Sequence, residues 1–141
     1  MLREQMLKSE ISNMIYEVVN PPKRLNTAVF DSAVSFACSY LRLDVDLTIE
    51  FDSLPKYHYG DCDYDEGEVF ITIAKRLSTR DAIRTLFHEL VHAKQYNDGR
   101  LGVGSPQRWL GVPLECEYLN SPWEIEAFDL EERMMKLFYG D

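Results

Sequence analysis

The chain has 141 residues, enough for one domain with a real core, and its 45% hydrophobic and 28% charged content is ordinary for a globular protein. A formal charge of −9 disfavours nucleic acid as a partner, because phosphate binding needs clustered Lys and Arg, and only Lys23-Arg24 and Lys75-Arg76 form small basic pairs. No apolar run approaches a membrane span, Met1 to Glu10 is too charged for a signal peptide, and Cys38, Cys62 and Cys116 have no paired zinc spacing, so a cytoplasmic protein with reduced thiols and no membrane partner is expected.

In chain order, residues 3–19 carry Ile11, Met14, Ile15 and Val18 at helical spacing, and Asn20-Pro21-Pro22 ends that segment. A second helix is predicted from about Thr27 to Arg42, with Phe30, Ala33, Val34, Ala37 and Leu41 on one face. The period then changes. Val45, Leu47, Ile49 and Phe51 alternate with polar residues and predict a half-buried strand; Val69, Ile71 and Ile73 predict another. Between them, 55–60 suits a short extended piece. Asp61-x-Asp63-x-Asp65 has the opening of a calcium loop, but Glu66 stands where that loop needs glycine and Thr72 where it needs a bidentate glutamate, so an acidic turn is expected. No proline interrupts 81–98. Ser78 suits the start of that helix and Gly99 its end, and a last helix is expected from about Ser121 to Tyr139. The order α-α-β-β-β-α-α predicts an α+β domain spanning 1–141, with a small, mostly antiparallel sheet packed on the third helix.

That third helix carries His88-Glu89-Leu90-Val91-His92. Positions i and i+4 share one helix face, so two imidazoles there can bind one Zn²⁺, while the glutamate between them can deprotonate a water that the metal activates. Ile83, Leu86, Phe87, Leu90 and Val91 give the helix apolar surface almost all round, as in a buried central helix. A catalytic zinc usually takes three protein ligands and leaves one position for water. No histidine follows His92, so the third ligand must be a carboxylate if it lies downstream. Ser121-Pro122-Trp123-Glu124-Ile125-Glu126-Ala127 opens the last helix with two candidates, Glu124 and Glu126. They are about 200° apart around the helix, so only one can face the metal. Ala127, one turn after Glu124, would let two helices approach closely, whereas Asp129 and Leu130 follow Glu126 at the same spacings. Against Glu124 stands Ser121-x-x-Glu124, a capping box in which the glutamate folds back on its own helix start.

The H-E-x-x-H motif, with Thr85 three residues before it and uncharged residues at 86, 87, 90, 91 and 93, resembles the extended signature of zincin metallopeptidases; Lys94 departs from it, since an apolar residue is usual there. Glu124-x-x-Ala127 resembles the E-x-x-A of several gluzincin families, in which the glutamate is the third zinc ligand and the alanine packs against the motif helix. A thermolysin-like order, Glu126-Ala127, would need an aspartate at position 130, which is Leu130. The resemblance covers roughly Tyr57 to Met135 and is carried by these two short motifs. It implies a zincin-like fold, a hydrolase with His88, His92 and Glu124 on zinc and Glu89 as general base, and a peptide or protein substrate. In zincins an edge strand pairs with extended substrate; 57–60 and 68–74 are both candidates. A different class of function stays open, a metalloprotease-like regulator that binds zinc and a partner without cleavage, although it has no need of Glu89. Tyr96 and Tyr118 are candidate oxyanion donors, His58 is a candidate substrate-orienting group, and the apolar stretch around Trp109 to Leu114 is a candidate lid or substrate wall.

Overall fold

The computed structural model describes residues 4–8, 15–104 and 106–140, and the side chains of 16–104 and 106–140. Its elements are β1 (Glu4–Lys8), β2 (Ile15–Val19), α1 (Thr27–Leu41), β3 (Asp46–Asp52), β4 (Gly60–Asp65), β5 (Glu68–Ala74), α2 (Thr79–Asn97), three two-residue strands β6 (Leu101–Gly102), β7 (Arg108–Trp109) and β8 (Val112–Pro113), a short 3-10 turn (Tyr118–Asn120) and α3 (Pro122–Tyr139).

The helix expected over 3–19 is not found. Its described parts are the strands β1 and β2, and Ile11 and Met14 lie outside the described residues. In β2 only Tyr16 and Val18 turn to the core, a period of two, and β2 pairs with β3 through Tyr16–Leu47 and Val18–Ile49. Pairing with a distant strand thus decided a segment whose local spacing suited a helix equally well. The acidic turn is also corrected. Asp61 to Asp65 lies in β4, whose exposed aspartates alternate with the half-buried Cys62 and Tyr64, and Glu66-Gly67 makes the two-residue hairpin turn into β5, both with positive φ. Same-face residues of a strand stand about 7 Å apart, so these aspartates do not converge on one cation. The extended piece expected over 55–60 is a turn leading into β4.

The large sheet has the order β1-β2-β3-β5-β4. It is mixed rather than mostly antiparallel: β2–β3 and β3–β5 are parallel, while β1–β2 and β4–β5 are antiparallel. The connection through α1 returns the chain parallel to β2, and β4 leaves the line to form the edge. Among the described residues only one face of the sheet is covered. Leu47, Ile49, Phe51, Val69, Ile71 and Ile73 meet the helices, with Phe30 and Phe87 in the same core; Glu50, Asp52, Asp61, Asp63, Asp65 and Glu68 point away into solvent.

Helix α1 begins at the Asn26 cap and ends at Arg42, and the five apolar residues expected on its inner face are all buried. Ser78 caps α2 by accepting a bond from the Asp81 amide at 3.1 Å. Residues 85–93 of α2 are buried, between the sheet edge, α1 and α3. Among the described residues no helix is long and apolar enough to cross a membrane.

Gly60, the first residue of β4, packs directly against α2. A Cβ there would stand 2.5 Å from Thr85 Cγ2, 3.0 Å from the Thr72 carbonyl and 3.4 Å from Glu89 Cγ. Gly60→Ala should therefore destabilise the fold by about 1–3 kcal/mol, seen as a lower midpoint in chemical denaturation. An unchanged midpoint would mean that strand and helix separate without cost.

Candidate metal centre

Helix geometry puts His88, Glu89 and His92 on the stretch of α2 that faces α3 and the end of β4. Helix α3 begins at Pro122, after the Ser121 cap, and lays Ala127 flat against α2 with no exposed surface. The capping box is not formed. Ser121 makes no side-chain bond to its own helix start, and its hydroxyl donates to the Tyr118 carbonyl at 2.8 Å. Glu124 turns across to α2 instead. One carboxylate oxygen lies 2.9 Å from His88 Nε2, and His92 Nε2 is 3.2 Å from the same carboxylate. One donor atom from each of His88, His92 and Glu124 lies within 4.8 Å of the others, and all three residues are buried.

Glu126 points elsewhere. It takes both oxygens to Arg100 Nη1 at 3.0 Å and accepts a bond from Gln95 Nε2 at 2.9 Å. The structure thus brings together His88, His92 and Glu124 and excludes Glu126, because the two glutamates leave the helix in different directions.

Two residues not foreseen from the sequence complete the cluster. Glu131, buried on α3, lies 2.9 Å from His88 Nδ1 and also accepts from Arg84 at 3.0 Å. Gln95 presents its amide oxygen 2.8 Å from His92 Nδ1. Each imidazole therefore has its Nδ1 held by an oxygen and its Nε2 aimed at the common point, the arrangement that fixes metal-ligating histidines. Glu131 stands two turns beyond Glu124, and Gln95 one turn beyond His92. That spacing is a signal in the sequence, but it acquires meaning only once the direction of Glu124 is known.

This group could hold a metal ion. It offers two imidazole nitrogens and one carboxylate oxygen, three protein ligands with room for a fourth, non-protein one, and none of the thiols that structural zinc favours. Donors around one tetrahedral zinc lie about 3.3 Å apart, which this group can reach with small side-chain adjustments. These groups also pair with one another, His88 with Glu124 and Glu131, and His92 with Glu124.

Electrostatics follow from the packing. Burial alone would lower the His88 imidazole, but its bonds to Glu124 and Glu131 and the charge of Glu89 outweigh it and raise the group to about 9. His92 is raised in the same way, mainly by Glu124 against its own burial. Burial would raise Glu124, yet hydrogen bonds from the two imidazoles hold it down to about 2. Glu89 has no such bond. Burial lifts it to about 7, against the opposing pull of His92 and His88. It therefore exchanges protons near neutrality.

The cluster lies in a cleft of about 460 Å³ that also exposes Gly60, Cys62, Tyr96, Gln107, Tyr118 and Trp123. A second recess of about 300 Å³ continues past His88 and Glu89 between Tyr59, Thr85 and Phe128. Of the secondary candidates, Tyr118 reaches the site. It lines the cleft beside Glu124, and burial together with the charges of Glu124 and Glu89 pushes its hydroxyl up to about 12. Tyr96 lines the far wall, stacked on Tyr64 and accepting a bond from Gln107. His58 sits at the rim, its Nε2 in an exposed hydrogen-bond contact with Asp61 Oδ1 at 2.9 Å. Of the connection after α2, Leu101 and Gln107 line the cleft, whereas the stretch from Trp109 to Leu114 does not; Trp109 packs on Trp123 with ring centres 6.1 Å apart. Cys62 faces the cleft with its thiol kept neutral by burial, and Lys94, the departure from the motif, ion-pairs with Asp98 away from the cluster. No protein-family model matches the sequence, and no curated protein matches it.

Metal binding gives two tests. Zinc titration should reach about one ion per chain, with most affinity lost in His88→Ala and Glu124→Ala. Glu126→Ala acts only through Gln95 and should lose about tenfold at most. Equal losses in the two glutamate variants would contradict this assignment. Because the ion must displace protons held by His88 and His92, zinc affinity should rise with pH from about 6 to about 9, and uptake in weakly buffered solution should release protons. An affinity flat across that range would remove the imidazoles from the ligand set.

Proposed function

We propose that this chain is a zinc-dependent peptidase of gluzincin type. The observation that carries the reading is the position of Glu89. It is a buried carboxylate poised near neutral pH, next to a preorganised two-histidine, one-glutamate donor set, at the base of an open cleft. A purely structural metal site has no use for such a group, and neither has a docking module.

Zinc held by His88, His92 and Glu124 would supply Lewis acidity, bringing the pKa of a water in its open position to about 7. Glu89 accepts the proton of the attacking water and later delivers it to the departing amine, and its own raised pKa suits both transfers. Glu131 and Gln95 hold the two imidazoles in one orientation throughout. Tyr118 keeps its proton at neutral pH, so its hydroxyl can donate to the carbonyl oxygen as negative charge grows there.

The substrate side of the cleft is β4. It is the last strand of the large sheet, and among the described residues no strand pairs with its outer edge. Its first residue, Gly60, lies beside Glu89. An extended peptide added along that edge would run past Glu89 and the donor cluster, held by backbone hydrogen bonds. Of the two segments considered from sequence, 57–60 is the turn that leads into β4, and 68–74 is β5, which lies between β3 and β4 and has no free edge.

Glu89→Gln should retain zinc and the fold and lose peptide cleavage by about 10²-fold or more, because glutamine keeps the shape and cannot take the proton. The measurement is hydrolysis of an internally quenched peptide library by zinc-loaded protein. Cleavage by the variant at a near wild-type rate would remove Glu89 from the mechanism. A zinc-loaded wild type that cleaves nothing in the library would favour a zinc-binding regulator instead.

A further inference from the structure

The turn before β4 carries a residue that its backbone does not suit. His58 N donates to the Pro55 carbonyl at 3.0 Å, closing a β-turn whose third residue is Tyr57, with φ of 69°. Turns with positive φ at that position take glycine or asparagine, and a bulky side chain there is strained. The other non-glycine residues with positive φ have local reasons for it: Asn20 is of a residue type that, like glycine, readily takes this conformation, Arg42 caps α1, and Glu66 and Leu110 sit in hairpin turns beside Gly67 and Gly111. Burial does not compensate Tyr57, which is 77% exposed and has the Lys56 ammonium 5.1 Å from its ring centre.

The turn is nevertheless held firmly. Arg76, just past the end of β5, donates to the carbonyls of Leu54 (2.9 Å), Pro55 (3.3 Å) and His58 (3.1 Å) and lays its guanidinium against the Tyr59 ring. One side chain thus fixes the turn to the sheet. Tyr57 lines both the cleft over the metal cluster and the recess beyond His88, so its ring spans the two. Strain kept at an exposed position over a cleft points to a role outside the fold.

We propose that Tyr57 is the substrate clamp of this cleft, a ring held by the Arg76-bound turn over the backbone of an extended peptide as it crosses the donor cluster. The clamp rests on the peptidase reading. It deepens that reading by requiring a ligand with chain on both sides of the reacting bond, so single amino acids and small amides are poor ligands. The contact is made by the flat face of the ring, and the hydroxyl is dispensable.

The test uses zinc-loaded full-length protein, two hydroxamate probes and calorimetry. Acetohydroxamate is long enough to reach only the metal; a hydroxamate bearing a tripeptide tail also fills the cleft. In Tyr57→Gly, acetohydroxamate should bind as in wild type and the tripeptide probe about tenfold more weakly, the scale of one lost aromatic contact. The same variant should melt about 2–4 °C higher, because glycine suits the turn. Tyr57→Phe should match wild type with both probes. If Tyr57→Gly binds the tripeptide probe as wild type does, the clamp is overturned. If it melts lower and weakens both probes, Tyr57 is a structural residue and the clamp is equally overturned. Wild-type protein that takes up zinc but binds neither probe would instead sink the open catalytic site, and the clamp with it; the acetohydroxamate arm tells these failures apart.

Discussion

The structure depends on how α2 and α3 share buried charge. Glu89, Glu124 and Glu131 lie with two imidazoles at a helix–helix contact from which water is largely excluded. Burying a carboxylate is costly unless it is paired and hydrogen-bonded. Here the pairing is continuous. Arg84 holds Glu131, which holds His88; Glu124 joins His88 to His92; Gln95 links His92 to Glu126, which ends on Arg100. The chain thus starts and finishes on half-exposed arginines, and among the described residues no buried side-chain polar atom lacks a partner. Ala127 is what allows it, since a larger side chain would push α3 outward and leave Glu124 short of both rings. Glu89 alone has no hydrogen-bond partner in this chain of contacts, and for that reason its carboxyl is the one raised towards neutrality.

The sheet serves the same site from the other side. Its covered face fixes the height of α2, and Gly60 removes the one side chain that would hold β4 away from Thr85 and Glu89. Its uncovered face collects Glu50, Asp52, Asp61, Asp63, Asp65 and Glu68, so much of the net charge of −9 sits on one surface. Three of these residues lie on the edge strand. Like charges along an open edge discourage pairing with another copy of the same edge, which leaves β4 available to a peptide without making it an aggregation site.

Around this rigid centre the cleft walls are built from loops. The turn at 55–58 is bound to the sheet by Arg76, and the small sheet of β6, β7 and β8 is anchored through Trp109 on Trp123. Both walls are tied to regular elements at a few points, a common arrangement in which a rigid scaffold positions binding loops.

By itself the sequence determined α1, β3, β5, α2 and α3 and pointed to His88, His92 and Glu124 as a group that could hold a metal, because each rests on a short-range regularity: a 3.6 or 2.0 period, a cap, or an i, i+4 pair. Ala127 one turn after Glu124 favoured the glutamate that the structure places with His88 and His92 over Glu126. Only the tertiary structure decided the rest. Residues 15–19 became a strand because β3 was there to pair with, and 60–65 became the sheet edge although its outward aspartates hid the alternation. The competition between a capping box and a cross-helix bond at Glu124 was settled by the proximity of two imidazoles 32 and 36 residues away along the chain. Glu131, Gln95 and Arg76 owe their roles to partners that no local pattern announces. Local periodicity fixes which face of an element is buried; what that face meets is set by packing.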